Sequence, residues 1–265
     1  MILVDDHCHL MHALYKDQLD AVIERARNAG VKAIICSGLN PETNKEALEI
    51  AKKYAPIVRA SLGIYPVDAL GLPPDVEGGL RQHSGPIDLD KEFEFIEQHK
   101  DSIAAVGECG LDYHWIKDKE LQKKERDNFA RIIEFVEKIG KPIIVHTRGA
   151  EQDCMDMLTS STLKKVVLHC FEGRKHLIKK ANEMGYIFSV PTNIVKSQHF
   201  QTLVEIANIN QLTTETDGPY LSPTPGTPNE PANVKVIVEK IAQIKKFEAE
   251  EVANNIWLNF QRTYG

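Results

Sequence analysis

The sequence predicts an α/β fold, a TIM (β/α)8 barrel formed as one domain over residues 1–265. Three observations point to it: short β-rich runs that recur along the whole chain, helical periodicity between them, and a length of 265 residues, enough for eight strand-and-helix units. Strand cores are predicted at 2–9, 32–37, 57–63, 103–108, 142–147, 165–169, 186–190 and 212–217. Between them, Phe129, Ile132, Ile133 and Val136 recur at i, i+3, i+4 and i+7, the stripe of a helix lying on a sheet. Asn40-Pro41-Glu42 supplies a cap, a first-turn proline and an acid at a helix start, and Gly30 and Gly140 stand where helices should stop before a strand. A final helix is expected near 248–264. Residues 71–88, rich in Gly and Pro, read as a long loop at the functional rim and not as a domain boundary. No Gly-rich phosphate fingerprint follows the first strand, which argues against a doubly wound open sheet.

Composition narrows the function classes. Thirty-two basic against 38 acidic side chains give a formal charge of −6, and an apolar share of 42% with 26% charged residues is ordinary globular usage. Disorder and a membrane-embedded class are excluded, since no stretch approaches about 18 uncharged apolar residues. The opening Met1-Ile2-Leu3-Val4-Asp5-Asp6 lacks the basic start of a signal peptide, so a soluble cytoplasmic protein is expected. Five cysteines without a CxxC spacing fit a reducing compartment. The acidic balance provides no general footprint for nucleic acid, so such a substrate would have to be held locally, for instance by metal ions.

The chemistry lies at the strand ends. His7 and His9 sit two apart at the end of the first run, on one face of a strand, while Cys8 points the other way. Four further runs end in a candidate ligand: Glu108, His146, His169 and Asp217. Imidazole and carboxylate after an apolar β run are costly to bury without pairing or metal, and a barrel puts all these ends at one rim. Six such groups exceed one tetrahedral ion but suit two ions sharing a bridging carboxylate, which activate water and polarise the bond to be cleaved. Hydrolysis is the expected reaction class. The N and O donor set admits zinc, manganese or magnesium. Cys8, Cys109 and Cys170 adjoin proposed ligands but are expected in the core. The lysines of 117–126 interleave with Asp118, Glu120 and Glu125, which reads as the solvated face of a helix. His83, His99, His176 and His199 are expected to have surface roles.

With these residues identified, the chain resembles the TatD family of metal-dependent hydrolases, nearly end to end. Leu3-Val4-Asp5-Asp6-His7-Cys8-His9-Leu10 is similar to the family's opening motif, and Val106-Gly107-Glu108-Cys109-Gly110-Leu111-Asp112-Tyr113 to its glutamate motif. Pro142 to Arg148, His169-Cys170-Phe171-Glu172-Gly173 and Glu215-Thr216-Asp217-Gly218-Pro219-Tyr220-Leu221 resemble three more, in the same order. The resemblance implies that His7, His9, Glu108 and Asp217 hold one divalent ion and Glu108, His146 and His169 the other, with Glu108 as bridge. It further implies DNA or another phosphodiester as substrate, with Asp217 taking the proton of the attacking water. Arg148, sharing a strand face with His146, is a candidate phosphate ligand, its alternative being an ion pair with a barrel acid such as Glu215. His114 and Tyr65 are further candidate substrate contacts.

Two positions depart from the family pattern. Gly63-Ile64-Tyr65-Pro66 carries a phenol where the family commonly has an imidazole, and Pro225-Gly226-Thr227-Pro228 replaces a basic stretch before Asn229-Glu230-Pro231. Both alter the substrate rim and leave the ligands alone. They keep open an ester, lactone or amide substrate, including an aminoacyl-RNA. A barrel that binds without catalysis is a third alternative, opposed by the fact that all six ligand positions are filled.

Overall fold

The computed structural model of the protein describes residues 1–72 and 79–265. Residues 73–78, part of the predicted rim loop 71–88, lie outside the described residues. Eight parallel strands follow one another in sequence order: β1 (Leu3–Cys8), β2 (Val31–Ser37), β3 (Val58–Ile64), β4 (Ile103–Gly110), β5 (Ile143–His146), β6 (Val166–His169), β7 (Ile187–Pro191) and β8 (Leu212–Glu215). Each overlaps a predicted run. The apolar runs are buried because the barrel interior packs one face and the helices the other.

The helices are α1 (Leu19–Ala29), α2 (Pro41–Lys53), α3 (Pro66–Ala69), α4 (Leu89–Gln98), α5 (Lys119–Ile139), α6 (Glu151–Thr159), α7 (Lys175–Glu183), α8 (Gln198–Ile206), α9 (Val234–Lys245) and α10 (Ala249–Tyr264). Asn40 caps α2 in a reciprocal capping box with Thr43, and Pro41 occupies its first turn. Gly30 and Gly140 end α1 and α5 in the left-handed region, with φ of 97° and 68°, where a side chain would be strained. The α5 stripe Phe129, Ile132, Ile133 and Val136 is buried as expected. Glu125 corrects the reading of that helix: it is buried, not solvated, and accepts the backbone N–H of Asp112 at 3.0 Å. Burial pushes its carboxyl up to about 8.

Between β1 and β8 the barrel closes, among the described residues, through a single backbone bridge, Cys8 to Gly218, and a set of side-chain bonds. Near the rim, Asp217 N donates to His7 O at 2.9 Å and His9 N to Gly218 O at 2.8 Å. Deeper in the seam, side chains replace the backbone ladder. Thr214 Oγ1 donates to Val4 O at 2.6 Å, and Thr216 donates its N–H and hydroxyl to the Asp5 carboxylate at 2.8 and 2.5 Å. Asp6 accepts from Thr213 Oγ1 at 2.5 Å and from Ser189 Oγ. Two adjacent carboxyl groups are thus tolerated in the wall because each is met by donors. Among the described residues, no helix is long and apolar enough to cross a membrane.

Candidate metal centre

All six candidate ligands meet at the C-terminal rim. His7 lies within β1 and His9 just past it, Glu108 is in β4, and His146 and His169 are the last residues of β5 and β6. Asp217 stands two residues beyond β8 with φ of 54°, a left-handed conformation that Asp tolerates better than most residues. Glu108 is the centre of the arrangement. Its Oε2 lies 3.1 Å from His7 Nε2 and 3.7 Å from His9 Nε2, while Oε1 lies 2.8 Å from His146 Nδ1 and 3.9 Å from His169 Nε2. Asp217 Oδ1 is 3.4 Å from His9 Nε2 and 3.8 Å from His7 Nε2. Of four groups able to hold a cation among the described residues, two, His7/His9/Glu108 and Glu108/His146/His169, share the Glu108 carboxylate, and the others are His7/His169/Glu215 and His169/Cys170/Asp217.

The donor set fits divalent ions for a reason visible in the wall behind it. Each imidazole is tied by one ring nitrogen and aims the other into the cluster. His9 Nδ1 lies 2.9 Å from the carbonyl of Ser37, His7 Nδ1 3.2 Å from Ser37 Oγ, His146 Nε2 2.9 Å from Asp112 Oδ2, and His169 Nδ1 2.8 Å from Glu215 Oε2. A carbonyl or carboxylate accepts, so in His9, His146 and His169 the tied nitrogen carries a proton and the opposite one is the candidate ligand atom. His7 Nε2 is buried and, despite its proximity to Glu108, makes no aligned hydrogen bond. A buried polar atom aimed at a carboxylate without such a bond is what a cation would satisfy.

The charges are strongly coupled. Burial alone would raise the Glu108 carboxyl, but the charge of His169 and the hydrogen bond from His146 outweigh it and hold the group well below the usual carboxylate range. Asp217 is also held low, because the hydrogen bond from His9 and the charge of His169 overcome its burial. Burial opposes protonation of the imidazoles, yet Glu215 and Glu108 push His169 up to about 10, and bonds to Asp112 and Glu108 push His146 up to about 9. Burial and the neighbouring His169 lower His7 instead. A divalent cation held by these groups would take the place of the protons as counter-charge, and its binding would release them.

A cavity of about 720 Å³ opens over the cluster, lined among others by Tyr65, Leu80, Arg81, Trp115 and Arg148. Residues 79–82 of the predicted 71–88 loop therefore stand at the rim. Arg148 corrects its predicted placement: β5 ends at His146, so the strand-face argument no longer reaches it. Its exposed guanidinium lies 5.2 Å over the ring of Trp115 instead of pairing with Glu215, which is engaged by His169 and the Cys170 N–H. His114 is exposed and does not line the cavity; its neighbour Trp115 does. Tyr65 lines it and donates its hydroxyl to Asp112 Oδ2 at 2.9 Å.

Cys8 and Cys109 are buried in the core as expected, but Cys170 is half-buried and borders the cavity. It lies past the end of β6 with φ of 42°, where strand alternation no longer sets its direction. His83, His99, His176 and His199 lie outside the described metal-capable groups. Sequence reasoning missed Ser37, Asp112, Glu215 and Trp115 as site residues. Asp112 and Glu215 stood inside the quoted motifs, four residues after Glu108 and two before Asp217, and a second acid close to a candidate ligand carboxylate was the available signal; Ser37 and Trp115 carried none.

Comparisons with known proteins follow this geometry. The profile of the family described as TatD related DNase matches residues 4–265. An uncharacterized metal-dependent hydrolase of Methanocaldococcus jannaschii is 36% identical over 256 residues, covering 97% of this chain and 94% of that protein. The deoxyribonuclease TATDN3 of Homo sapiens is 33% identical over 252 residues, covering 94% of this chain and 90% of that protein. Among solved structures, the TatD homolog YjjV of Escherichia coli K12 superposes with a TM-score of 0.83 at 24% identity, over 99% of this chain and 97% of that one, a likeness of fold. With the profile spanning nearly all residues and the metal-capable cluster in place, the chain belongs to the TatD family of metal-dependent hydrolases.

Proposed function

We propose that the protein hydrolyses phosphodiesters, with DNA as the first candidate substrate, and that it does so with two divalent ions. The single observation that carries this reading is the Glu108 carboxylate, which offers one oxygen to the His7/His9 pair and the other to the His146/His169 pair. His7, His9, Glu108 and Asp217 would hold one ion and Glu108, His146 and His169 the other. Zinc, manganese and magnesium are all compatible with this donor set. When bound, the ions supply the Lewis acidity and the activated water that hydrolysis of a phosphodiester needs.

The remaining work falls to the chain's own groups. Asp217, kept ionised well below neutrality and facing the cavity, is placed to accept the proton of the attacking water. Arg148, braced on Trp115, presents a guanidinium at the mouth that can bind two oxygens of one phosphate. Tyr65 lines the same cavity and holds its hydroxyl on Asp112, so it contributes shape to the substrate rim. The deoxyribonuclease name of the human relative supports the same substrate class. The family membership and the absence of a membrane-crossing helix among the described residues support a catalytic barrel of one domain acting in the cytoplasm.

The test is a substrate panel on the metal-reconstituted protein: a chromogenic phosphodiester, single-stranded DNA and a carboxylic ester of similar size. Phosphodiester turnover that depends on added metal supports the reading. Faster turnover of the carboxylic ester would replace it.

A further inference from the structure

The four imidazoles are supported from behind by walls of different character. Ser37, fully buried at the end of β2, serves both members of one pair: its Oγ lies 3.2 Å from His7 Nδ1 and its carbonyl accepts from His9 Nδ1 at 2.9 Å. His146, in the other pair, is backed by Asp112, whose Oδ2 lies 2.9 Å from Nε2. Asp112 is itself immobilised. Its Oδ1 accepts the N–H groups of His114 and Trp115 at 2.9 and 3.0 Å, its Oδ2 also accepts the Tyr65 hydroxyl, and its own N–H is held by the buried Glu125. Asp112 is fully buried, so its charge acts on His146 with little screening by water.

Among the described residues, Ser37 makes no hydrogen bond to His146 or His169, and Asp112 makes none to His7 or His9. We propose that Ser37 and Asp112 are site-selective positioning residues, Ser37 fixing the ligand nitrogens of His7 and His9 for one divalent ion and Asp112 that of His146 for the other. The inference rests on the two-ion reading above and deepens it. A ring held by its far nitrogen cannot rotate the wrong atom toward the cation without breaking that bond, and a carboxylate partner also makes the imidazole a stronger donor. The serine fixes direction without adding charge. Either ion position is therefore weakened separately, by a change in a residue that touches no ion.

The experiment uses the full chain, chelated and then titrated with zinc by calorimetry, with cadmium-113 resonances as the second readout. The wild-type protein takes two zinc ions and shows two cadmium resonances. Asp112→Asn weakens one zinc step by about 10- to 100-fold, the range typical of an outer partner, and moves one resonance. Ser37→Ala weakens the other step by less, because the backbone carbonyl still holds His9, and moves the other resonance. Tyr65→Phe leaves the Asp112 charge in place and moves the same resonance as Asp112→Asn by a smaller amount, which keeps the test decisive if Asp112→Asn does not fold. Both variants moving both resonances alike, or neither moving any, overturns the inference. A wild-type protein that takes fewer than two zinc ions overturns the two-ion reading itself, and this inference with it.

Discussion

The backbone N–H of Asp217 donates to the carbonyl of His7 over 2.9 Å, so the last candidate ligand in the sequence is tied directly to the first across the seam that closes the barrel. Three of the candidate ligands, His7, His9 and Asp217, therefore belong to the closure of the fold. Changes at these ligands should be felt in the closure, and the reverse.

The bridge is the most sensitive position. Glu108→Ala removes the carboxylate both pairs face, and it should abolish metal binding and turnover together. Asp217→Asn keeps an oxygen in place and should retain part of the metal while losing about 10²- to 10⁴-fold in kcat, the usual worth of a positioned acid–base group. Metal content by elemental analysis beside kcat on a chromogenic phosphodiester separates the two effects. Full activity in Glu108→Ala would end the bridging reading.

The stability of the chelated protein should peak between acid and alkaline limits. His169 and His146 are raised to about 10 and about 9, so their pairing with carboxylates is fully present below about 6.5 and is lost as pH rises through 9 to 10. Glu108, Asp112 and Asp217 are lowered, so their contribution is present above about 4 and is lost as pH falls further. Melting temperatures of the chelated protein from pH 3 to 10.5 check both limbs. Because the ligand nitrogens must give up protons, apparent zinc affinity should rise with pH across the same alkaline range.

At the seam, Asp5→Ala leaves the Thr216 N–H and hydroxyl without their acceptor in a fully buried position. Loss of about 2 to 4 kcal/mol is expected from two stranded donors. Urea unfolding of the metal-loaded protein measures it, and a change below 1 kcal/mol would show that the Asp5–Thr216 bonds do not stabilise the seam.

At the mouth, Arg148→Ala should raise KM for a phosphodiester about tenfold with a smaller change in kcat, the loss of one charge-assisted contact. Arg148→Lys should recover only part of this, since an ammonium does not bind two oxygens as a planar fork does. Trp115→Ala should act in the same direction by releasing the guanidinium it supports. An unchanged KM in all three would remove Arg148 from the substrate site.

Particular residues show where the sequence was legible. Asn40, Gly30 and Gly140 mark helix ends through local chemistry, and the α5 stripe repeats with the helical period, so these elements were readable without any tertiary information. The candidate ligands were readable because a histidine or carboxylate ending an apolar strand has few neutral explanations. Glu125, Cys170 and Arg148 were misplaced for two reasons. A pattern along the chain says which way a side chain points only while the strand or helical period continues, and it does not say what covers it. Cys170 and Arg148 lie beyond their strands, and Glu125 is covered by the turn that carries Asp112.

The sequence by itself determined the barrel, the order of its strands and the identity of the groups that end them, because strand and helix periodicity and the cost of burying polar groups act locally. Only the tertiary structure decided that Glu108 divides its two oxygens between two imidazole pairs, and that Ser37 and Asp112 stand behind different members of those pairs. Those relationships join residues about 30 to 100 positions apart, and they exist only once the closing of the barrel brings the strand ends to one rim.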